Sequence, residues 1–327
     1  IRKLLSQTGS AIQAIKPVFM MSPLSVAQFV EPGKLDFDIV VFDEASQVQP
    51  VDALGAVSRA RQLVVVGDEK QLPPTTFFSR MGMESDEDEK TEGAAPVGDL
   101  ESVLGLAKSK GMPSKMLRWH YRSRHQSLIA VSNHEFYGND LFIVPSPQNG
   151  ESQLGLQLEY IPEGVFERGR SKCNRMEAKR VAEAVTEHAR MNPDKTLGVA
   201  AFSVSQRDAI LDELELLRRR YPDTEAFFAD HPFEKFFVKN LENVQGDERD
   251  FIFISVGYAK DSSGFFSMNF GPLNNEGGER RLNVLISRAK EKCRLFTSIR
   301  SDEIDLTRSK AVGVRAFKTF LHYAETG

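Results

Sequence analysis

The residues with the clearest chemical potential are two adjacent carboxylates, Asp43 and Glu44, at the end of the apolar run 37–42 (FDIVVF). A carboxylate in this position can hold Mg²⁺ directly or through water, and its neighbour can orient or deprotonate a water that attacks a γ-phosphate. This chemistry assigns Asp43 to the metal and Glu44 to the water. The alternative is structural, because buried strands that end in Asp-Glu also occur without any nucleotide.

A glutamine follows a second apolar run. Residues 62–66 (QLVVV) lead into Gly67 and Asp68, and Gln71 comes three residues after that aspartate, before two prolines that stiffen the turn. A neutral amide can detect a γ-phosphate without competing for its charge. The alternative is an ordinary turn.

Two segments in the second half of the chain carry arginines, 117–124 (LRWHYRSR) and 283–290 (NVLISRAK). A guanidinium brought to a γ-phosphate stabilises the charge that develops in the transition state, an effect of roughly 10³ to 10⁵ in rate. Arg122 and Arg288 are the candidates, and Arg288 falls on a helix predicted over 280–290. Ordinary surface arginines are the alternative.

A polar turn lies between the two arginine segments, at 243–250 (NVQGDERD). Gly246 permits a tight entry into the next strand, and Gln245 and Glu248 offer polar groups to a nucleotide sugar or to neighbouring loops. An ordinary turn between strands is again the alternative.

The elements that carry these residues are short apolar strands that alternate with helices. Runs rich in Val, Ile and Phe without polar alternation predict strands covered on both faces, and therefore a parallel sheet, whose ligands gather at the carboxyl ends of the strands. Strands are predicted at 17–22, 37–44, 62–68, 158–161, 197–202, 236–240, 250–256 and 293–299. Helices are predicted at 101–110, 176–189, 206–219 and 280–290. The fold class is α/β throughout.

Length and composition indicate two ordinary globular domains. A chain of 327 residues exceeds what one hydrophobic core usually serves, and we place the domains at 1–114 and 115–327. Apolar residues make up 41% of the chain, and no apolar run approaches the roughly 20 residues that a membrane helix needs. The formal net charge is −4, so any binding of nucleic acid must come from a local basic groove.

Cysteine and histidine spacing excludes the common metal and disulfide classes. Cys173 and Cys293 stand far apart without CxxC spacing, and the histidines show no HExxH pattern. Two reduced cysteines fit a cytoplasmic protein, or a nuclear one in a eukaryote. The chain begins with Ile1, which we interpret as the start of an internal piece of a longer polypeptide.

Five of these segments, in this order, resemble the motifs of superfamily one helicases of the nonsense-mediated-decay and Dna-two type. VVFDEAS resembles their Walker B motif, GDEKQLPP the γ-phosphate sensor, LRWHYRS the fourth motif, NVQGDERDFIFIS the fifth and RLNVLISRAK the sixth. The likeness covers residues 16–320. It implies two RecA-like parallel-sheet domains in tandem, the P-loop NTPase fold, with the first domain incomplete at its N-terminus.

The resemblance also implies roles for individual residues, with ATP and Mg²⁺ as cofactors. Asp43 would bind Mg²⁺ and Glu44 would be the catalytic base. The remaining residues of the nucleotide site would be the sensor, the two arginine fingers and the contacts near the nucleotide: Gln71, Arg122, Arg288, Asp68, Gln245, Gly246 and Glu248.

Two further segments resemble regions that contact the nucleic-acid strand. They are 20–29 (MMSPLSVAQF) and 201–210 (AFSVSQRDAI). The implied contacts, through hydroxyl, amide or guanidinium groups, are Ser22, Ser25, Ser203, Gln206 and Arg207. A serine at a strand end is also a common helix cap. The paired phenylalanines, among them 265–266, suggest either base stacking or core packing.

The sequence departs from the family pattern in two places. It contains no GxxxxGK[ST] loop, whose backbone N–H groups would hold the phosphates, and we expect the upstream part of the same polypeptide to supply that loop. His120 stands where the family usually has glutamine.

The function implied is an ATP-dependent helicase or translocase. Its partner would be DNA or RNA, a single strand in a groove across both domains, with no membrane involved, and this chain alone would be inactive without the phosphate loop. A catalytically silent helicase-like scaffold or regulatory module is the main alternative. ATP-driven remodelling of a protein is a third.

Overall fold

The computed structural model describes residues 1–74, 102–146, 154–229, 234–244 and 246–327. Within these ranges the chain forms two compact units, Ile1–Met116 and Leu117–Gly327. Each unit combines helices with a parallel sheet. The α/β class is therefore confirmed, while the assignment of each unit as one motor domain stays a prediction.

The first unit is built on two parallel strands, β1 (Phe37–Phe42) and β2 (Ala60–Val65). Its helices are α1 (Arg2–Ile15), α2 (Pro23–Phe29), α3 (Pro50–Val57) and α4 (Val103–Ser109). Helix α3 connects the two strands, as a parallel pair requires. A small core covers one side of the strands and consists of Phe42, Ala45, Ala53, Ala56 and Val103.

The strand predicted at 17–22 is wrong. Residues 16–22 form an extended linker between α1 and α2, with no strand pairing within the described part of the unit. Phe19 in this linker packs edge-on against Phe37, with ring centroids 5.2 Å apart. An apolar run predicts burial, but a strand also needs a hydrogen-bonding neighbour.

The second unit contains a five-stranded parallel sheet in the described residues, in the order β3-β7-β6-β4-β5. The strands are β3 (Gly155–Tyr160), β4 (Leu197–Ala201), β5 (Phe237–Asn240), β6 (Arg249–Ser255) and β7 (Ala289–Thr297). The helices are α5 (Ser127–Phe136), α6 (Arg175–Met191), α7 (Val204–Arg220), α8 (Glu225–Ala229), α9 (Gly278–Ile286) and α10 (Val312–Thr326). Because all strands run the same way, the loops after them leave from one edge of the sheet.

The core of the second unit explains why its strands read as continuous apolar runs. Val181 and Val185 of α6 and Ile210 and Leu214 of α7 pack in one cluster with residues of the sheet. All of β4 is buried. Burial on both faces removes the polar alternation that a half-exposed strand would show.

The helix predicted over 280–290 ends early. Helix α9 stops at Ile286 and β7 begins at Ala289, so Arg288 lies at the junction. From Ala289 the burial alternates, with Glu291 and Cys293 inward and the basic residues between them outward. This period of two belongs to a strand.

The helices that the structure describes include no candidate for a membrane span, since none combines the required length with an apolar sequence.

Candidate functional site

The ends of β1 and β2 are tied together by their backbones. Val66 N donates to Phe42 O at 2.8 Å, and Ala45 N donates to Val66 O at 2.9 Å. Asp43 and Glu44 lie between these two bonds. The predicted metal ligand and base therefore sit at the carboxyl edge of the strand pair, where ligands of parallel sheets bind.

Glu44 has a strained backbone. Its φ of 50° and ψ of 39° lie in the left-handed region, which costs a non-glycine residue roughly 1 kcal/mol or more. Its amide donates to Asp43 Oδ1 at 3.0 Å, and its Oε2 accepts from Gln47 Nε2 at 3.1 Å. The conformation presents both carboxylates to solvent, as binding of a metal or a water would need.

Gly67 allows the second strand end to approach the first. A Cβ atom on Gly67 would lie 2.9 Å from Ser46 N and 3.1 Å from Ala45 N. Any side chain would force the two strand ends apart. In the sequence Gly67 marks only the end of an apolar run, and the structure shows that close packing requires it.

Gln71 is oriented by Asp68. The Asp68 carboxylate accepts from Lys70 N at 2.8 Å and from Gln71 Nε2 at 3.1 Å. An amide held through its nitrogen turns its oxygen away from Asp68. Asp68 is therefore placed to position the predicted sensor.

Three of the predicted motifs meet at one ion-pair cluster in the second unit. Arg122 Nε lies 2.7 Å from Glu248 Oε2, and Lys290 Nζ lies 3.4 Å from Glu248 Oε1. Partial burial raises the pKa of the Glu248 carboxyl, but the hydrogen bond and charge of Arg122 and the charge of Lys290 hold it below its ordinary value. Glu248 is therefore ionised at neutral pH and holds Arg122 in place.

Arg288 is almost buried, with 5% of its surface exposed. Its Nε donates to Val284 O at 2.9 Å, and its backbone N donates to Leu285 O at 3.2 Å. These bonds hold the side chain against the last turn of α9. The short connection to β7 therefore fixes where the predicted arginine finger lies.

His120 is a neutral hydrogen-bonding group. Its Nε2 accepts from Ser123 N at 3.2 Å and lies 2.9 Å from Ser123 Oγ. Burial, followed by the nearby charge of Arg122, lowers the pKa of His120 to about 4. At neutral pH the ring is uncharged, so it supplies the kind of neutral polar contact that a glutamine would.

Tyr121 is a candidate that the sequence analysis missed. It precedes Arg122 directly and is 85% exposed. An exposed ring beside a guanidinium suits stacking against a nucleobase. The signal was present in LRWHYRS, where an aromatic residue separates a histidine from the arginine.

The turn at 243–250 is described only in part. Gly246 has a φ of 83°, and a Cβ atom there would meet open space. The positive φ, rather than close packing, therefore favours glycine. Gln245 lies outside the described residues.

Two of the three predicted nucleic-acid serines, Ser22 and Ser203, act as helix caps. Ser22 Oγ accepts from Ser25 N at 3.2 Å at the start of α2, and the two hydroxyls are 2.9 Å apart. Ser203 Oγ accepts from Gln206 N at 3.2 Å at the start of α7. Capping was the alternative to a strand contact, and the contact itself stays a prediction.

The predicted strand contact through Gln206 needs correction. Gln206 is 0% exposed. Its Oε1 accepts from Asn174 N at 2.8 Å, and its Nε2 donates to Ser255 Oγ at 3.1 Å. A side chain enclosed in this way cannot reach a strand. Arg207 beside it is partly exposed and pairs with Asp208 at 2.7 Å.

Gln206 belongs to a buried polar network around Glu177. Glu177 Oε1 accepts from Ser255 Oγ at 2.6 Å and from Gly257 N at 2.7 Å, and its Oε2 lies 3.5 Å from Ser298 Oγ. Burial raises the pKa of Glu177 to about 7, although these hydrogen bonds lower it. The network joins the carboxyl ends of β6 and β7 to the first turn of α6.

We expect Glu177→Gln to remove a pH dependence of stability. The unfolded pKa is near 4.5 and the folded one about 7. The stability that Glu177 contributes should therefore be fully present below pH 4.5 and be lost as pH rises through 7, by on the order of 3 kcal/mol. Glutamine keeps an oxygen for both Ser255 and Gly257 but carries no charge.

Urea unfolding at pH 5 and at pH 8, followed by circular dichroism, measures this effect. The variant should unfold at similar urea concentrations at both pH values once other groups are accounted for. Glu187→Gln, an exposed carboxylate on the same helix, should keep the wild-type difference. An equal pH difference in Glu177→Gln and wild type would contradict the assignment.

The family follows from comparison with known proteins. An AAA domain family matches residues 101–300, and a second AAA domain family matches residues 22–79. The first match covers more than half of the chain. The chain belongs to this AAA domain family.

Relatives of the chain are helicases. It is 32% identical over 324 residues to the uncharacterized ATP-dependent helicase MG140 of Mycoplasma genitalium, covering 96% of this chain and 28% of that protein. It is 24% identical over 301 residues to the DNA replication ATP-dependent helicase/nuclease dna2 of Schizosaccharomyces pombe, covering 82% and 19%. It is 26% identical over 279 residues to the regulator of nonsense transcripts 1 homolog of Neurospora crassa, covering 79% and 22%.

These relatives confirm the resemblance drawn from the motifs, in both of its branches. The chain spans less than a third of the length of each of the three.

Proposed function

We propose that the intact protein carrying this chain is an ATP-dependent helicase or translocase that moves on nucleic acid. The observation that carries the proposal is the ion-pair cluster of Arg122, Glu248 and Lys290. These residues come from three motif segments that are distant in sequence, yet their charged groups converge. The helicase relatives give the cluster its interpretation.

The carboxylates at the end of β1 fit a magnesium nucleotide. Mg²⁺ in nucleotide sites is commonly held by one or two carboxylates together with substrate phosphates, and Asp43 offers an exposed carboxylate. The ion would neutralise charge on those phosphates.

The remaining residues act on the attacking water and on the charge of the transferred phosphoryl group. Glu44 orients the attacking water and accepts a proton from it. Gln71, which is held by Asp68, makes a hydrogen bond that forms only when the γ-phosphate is present. Arg122 and Arg288 stabilise the charge that builds up on the transferred phosphoryl group. Tyr121 offers its exposed ring for stacking against a nucleobase.

ATP hydrolysis by the intact protein, measured with and without single-stranded DNA or RNA, tests the proposal. We expect that either DNA or RNA stimulates hydrolysis. The nucleic acid that does so would be the one on which the protein moves. No hydrolysis under any condition would contradict the proposal and favour a silent scaffold. Hydrolysis that neither nucleic acid stimulates would favour remodelling of a protein.

A further inference from the structure

One edge of the second unit gathers three loops. The loop at 161–174 follows β3, the loop at 256–277 follows β6, and the loop at 298–311 follows β7. These three strands are parallel neighbours, so all three loops leave the carboxyl edge of the sheet. Ligands of open α/β sheets gather at this edge.

An exposed phenylalanine is held rigidly in the loop after β6. Phe265 is 49% exposed, whereas Phe266 is 9% exposed and packs 5.9 Å from Phe270 between ring centroids. Asp261 N donates to Phe265 O at 3.0 Å, and Asp261 Oδ1 accepts from Phe265 N at 3.1 Å. The closed turn fixes Phe265 in solvent, so a base that stacks on its ring orders little of the chain.

Guanidinium groups from the other two loops lie near this ring. The central carbon of the Arg168 guanidinium lies 4.7 Å from the Phe265 ring centroid, and that of Arg308 lies 5.9 Å away. Arg308 also donates to Phe266 O at 3.3 Å. Asp261 lies 3.8 Å from Arg168 and balances part of its charge. Two cations from separate parts of the chain therefore lie near a ring that keeps about half of its surface exposed, 49%.

The segment 167–175 (ERGRSKCNR), here called the basic loop, ends on the first residue of α6 and adds further positive charge. It carries four basic side chains against one carboxylate, Glu167. The loop closes around that carboxylate, which accepts from Ser171 Oγ at 2.5 Å, and Glu167 O accepts from Arg170 N at 3.2 Å and from Lys172 N at 3.0 Å. Arg170 and Lys172 remain exposed.

The basic loop lies beside the segment that leads into the turn at 261–265. Phe166, just before the basic loop, donates its N–H to Lys260 O at 3.0 Å, and its ring packs 5.5 Å from that of Tyr258. These contacts tie the start of the basic loop to the segment that leads into the turn at 261–265. A ring and cations gathered at one edge of the sheet suit a ligand that repeats a flat ring and an anion along its length.

We propose that single-stranded nucleic acid binds this surface, with a base stacked on Phe265 and phosphates contacting Arg170 and Lys172. The inference rests on the proposed function, because it names the surface of the second unit that binds the nucleic-acid strand. The chain as a whole carries a net charge of −4, so a local basic surface of this kind is what binding requires. An unpaired strand fits better than a duplex, since stacking needs an open base face.

Fluorescence anisotropy of labelled single-stranded DNA and RNA, titrated with the intact protein, tests the proposal. Phe265→Ala should weaken binding by about 5- to 150-fold, because one stacked base is worth roughly 1–3 kcal/mol. Phe265→Leu, which keeps apolar volume, should weaken binding nearly as much, and Phe265→Trp should preserve it. The charge variant Arg170→Gln/Lys172→Gln should lower the slope of log K against log salt by about 1.4.

Matched controls lie at the far end of α7. Arg190 stacks on the Tyr221 ring at 4.1 Å, so Tyr221→Ala removes a similar arginine-aromatic pair. Arg219→Gln/Arg220→Gln removes two neighbouring cations. Helix α7 starts at the carboxyl edge of the sheet, so these residues lie toward the opposite edge, and their variants should bind within about twofold of wild type.

The outcomes separate this inference from the proposed function. If wild type binds a strand and the Phe265 and charge variants bind equally well, the surface is not the site, while the proposed function stands. If wild type binds neither DNA nor RNA, both fail. Loss of binding in Phe265→Ala and Phe265→Leu, with Phe265→Trp and both controls intact, supports the surface.

Discussion

Arg288→Ala is expected to lower ATP hydrolysis by the intact protein by about 10³- to 10⁵-fold, the range for removal of an arginine finger. The guanidinium is held at the end of α9 by the Val284 carbonyl, so little ordering is needed when charge develops on the phosphoryl group. Nucleotide affinity should change far less than turnover, because the interaction strengthens in the transition state. Arg288→Lys should not restore activity, since an ammonium lacks the planar fork.

Single-turnover hydrolysis, together with a direct measurement of nucleotide affinity, checks this result. Arg281→Ala is the matched control, because Arg281 lies on the same helix and pairs with Glu242 at 3.3 Å. It should retain turnover within a few-fold. Since Arg288 is nearly buried, urea unfolding of the variant must show a folded protein. Turnover within tenfold of wild type in a folded Arg288→Ala protein would contradict the assignment.

The strands that the sequence predicts well are those buried on both faces of the sheet. The strands predicted at 197–202 and 250–256 correspond to Leu197–Ala201 and Arg249–Ser255. Each is a short apolar run between polar turns, and the structure buries nearly every residue in it. Local pattern and tertiary environment agree there, so little beyond the pattern is needed.

The errors fall where a partner distant in sequence decides the structure. The run 17–22 has the composition of a strand but pairs with none in the described residues. The segment around Arg288 has helical residues, yet sheet pairing with β6 from Ala289 onward ends the helix early. Such pairings cannot be read from spacing along the chain.

Gln206 and Glu177 show the same limit at the candidate site. Asn174 and Ser298, whose side chains hydrogen-bond at 2.8 Å beside Glu177, are 124 residues apart. One local signal was available. Glu177 stands beside the apolar residues of a helix predicted over 176–189, and a charged residue on the buried side of a helix needs polar partners.

Glu44→Gln is expected to lower turnover by about 10²- to 10⁴-fold, the range for loss of a general base, while nucleotide still binds. The amide keeps an oxygen for the Gln47 side chain, which donates to Glu44 at 3.1 Å, so the left-handed backbone at this position should persist. What disappears is the ability to accept a proton. Asp43→Asn should differ, because loss of a metal ligand weakens magnesium-dependent nucleotide binding as well as turnover.

Parallel measurements of turnover and of nucleotide affinity against magnesium concentration distinguish these two roles. Glu69→Gln provides the control, because Glu69 is an exposed carboxylate just beyond β2 that pairs with Lys108 at 2.6 Å. Its loss should leave both quantities near wild type. If Glu44→Gln hydrolyses ATP at the wild-type rate while Asp43→Asn does not, the water must be activated elsewhere. The strain at Glu44 would then serve only to aim Asp43 at the metal.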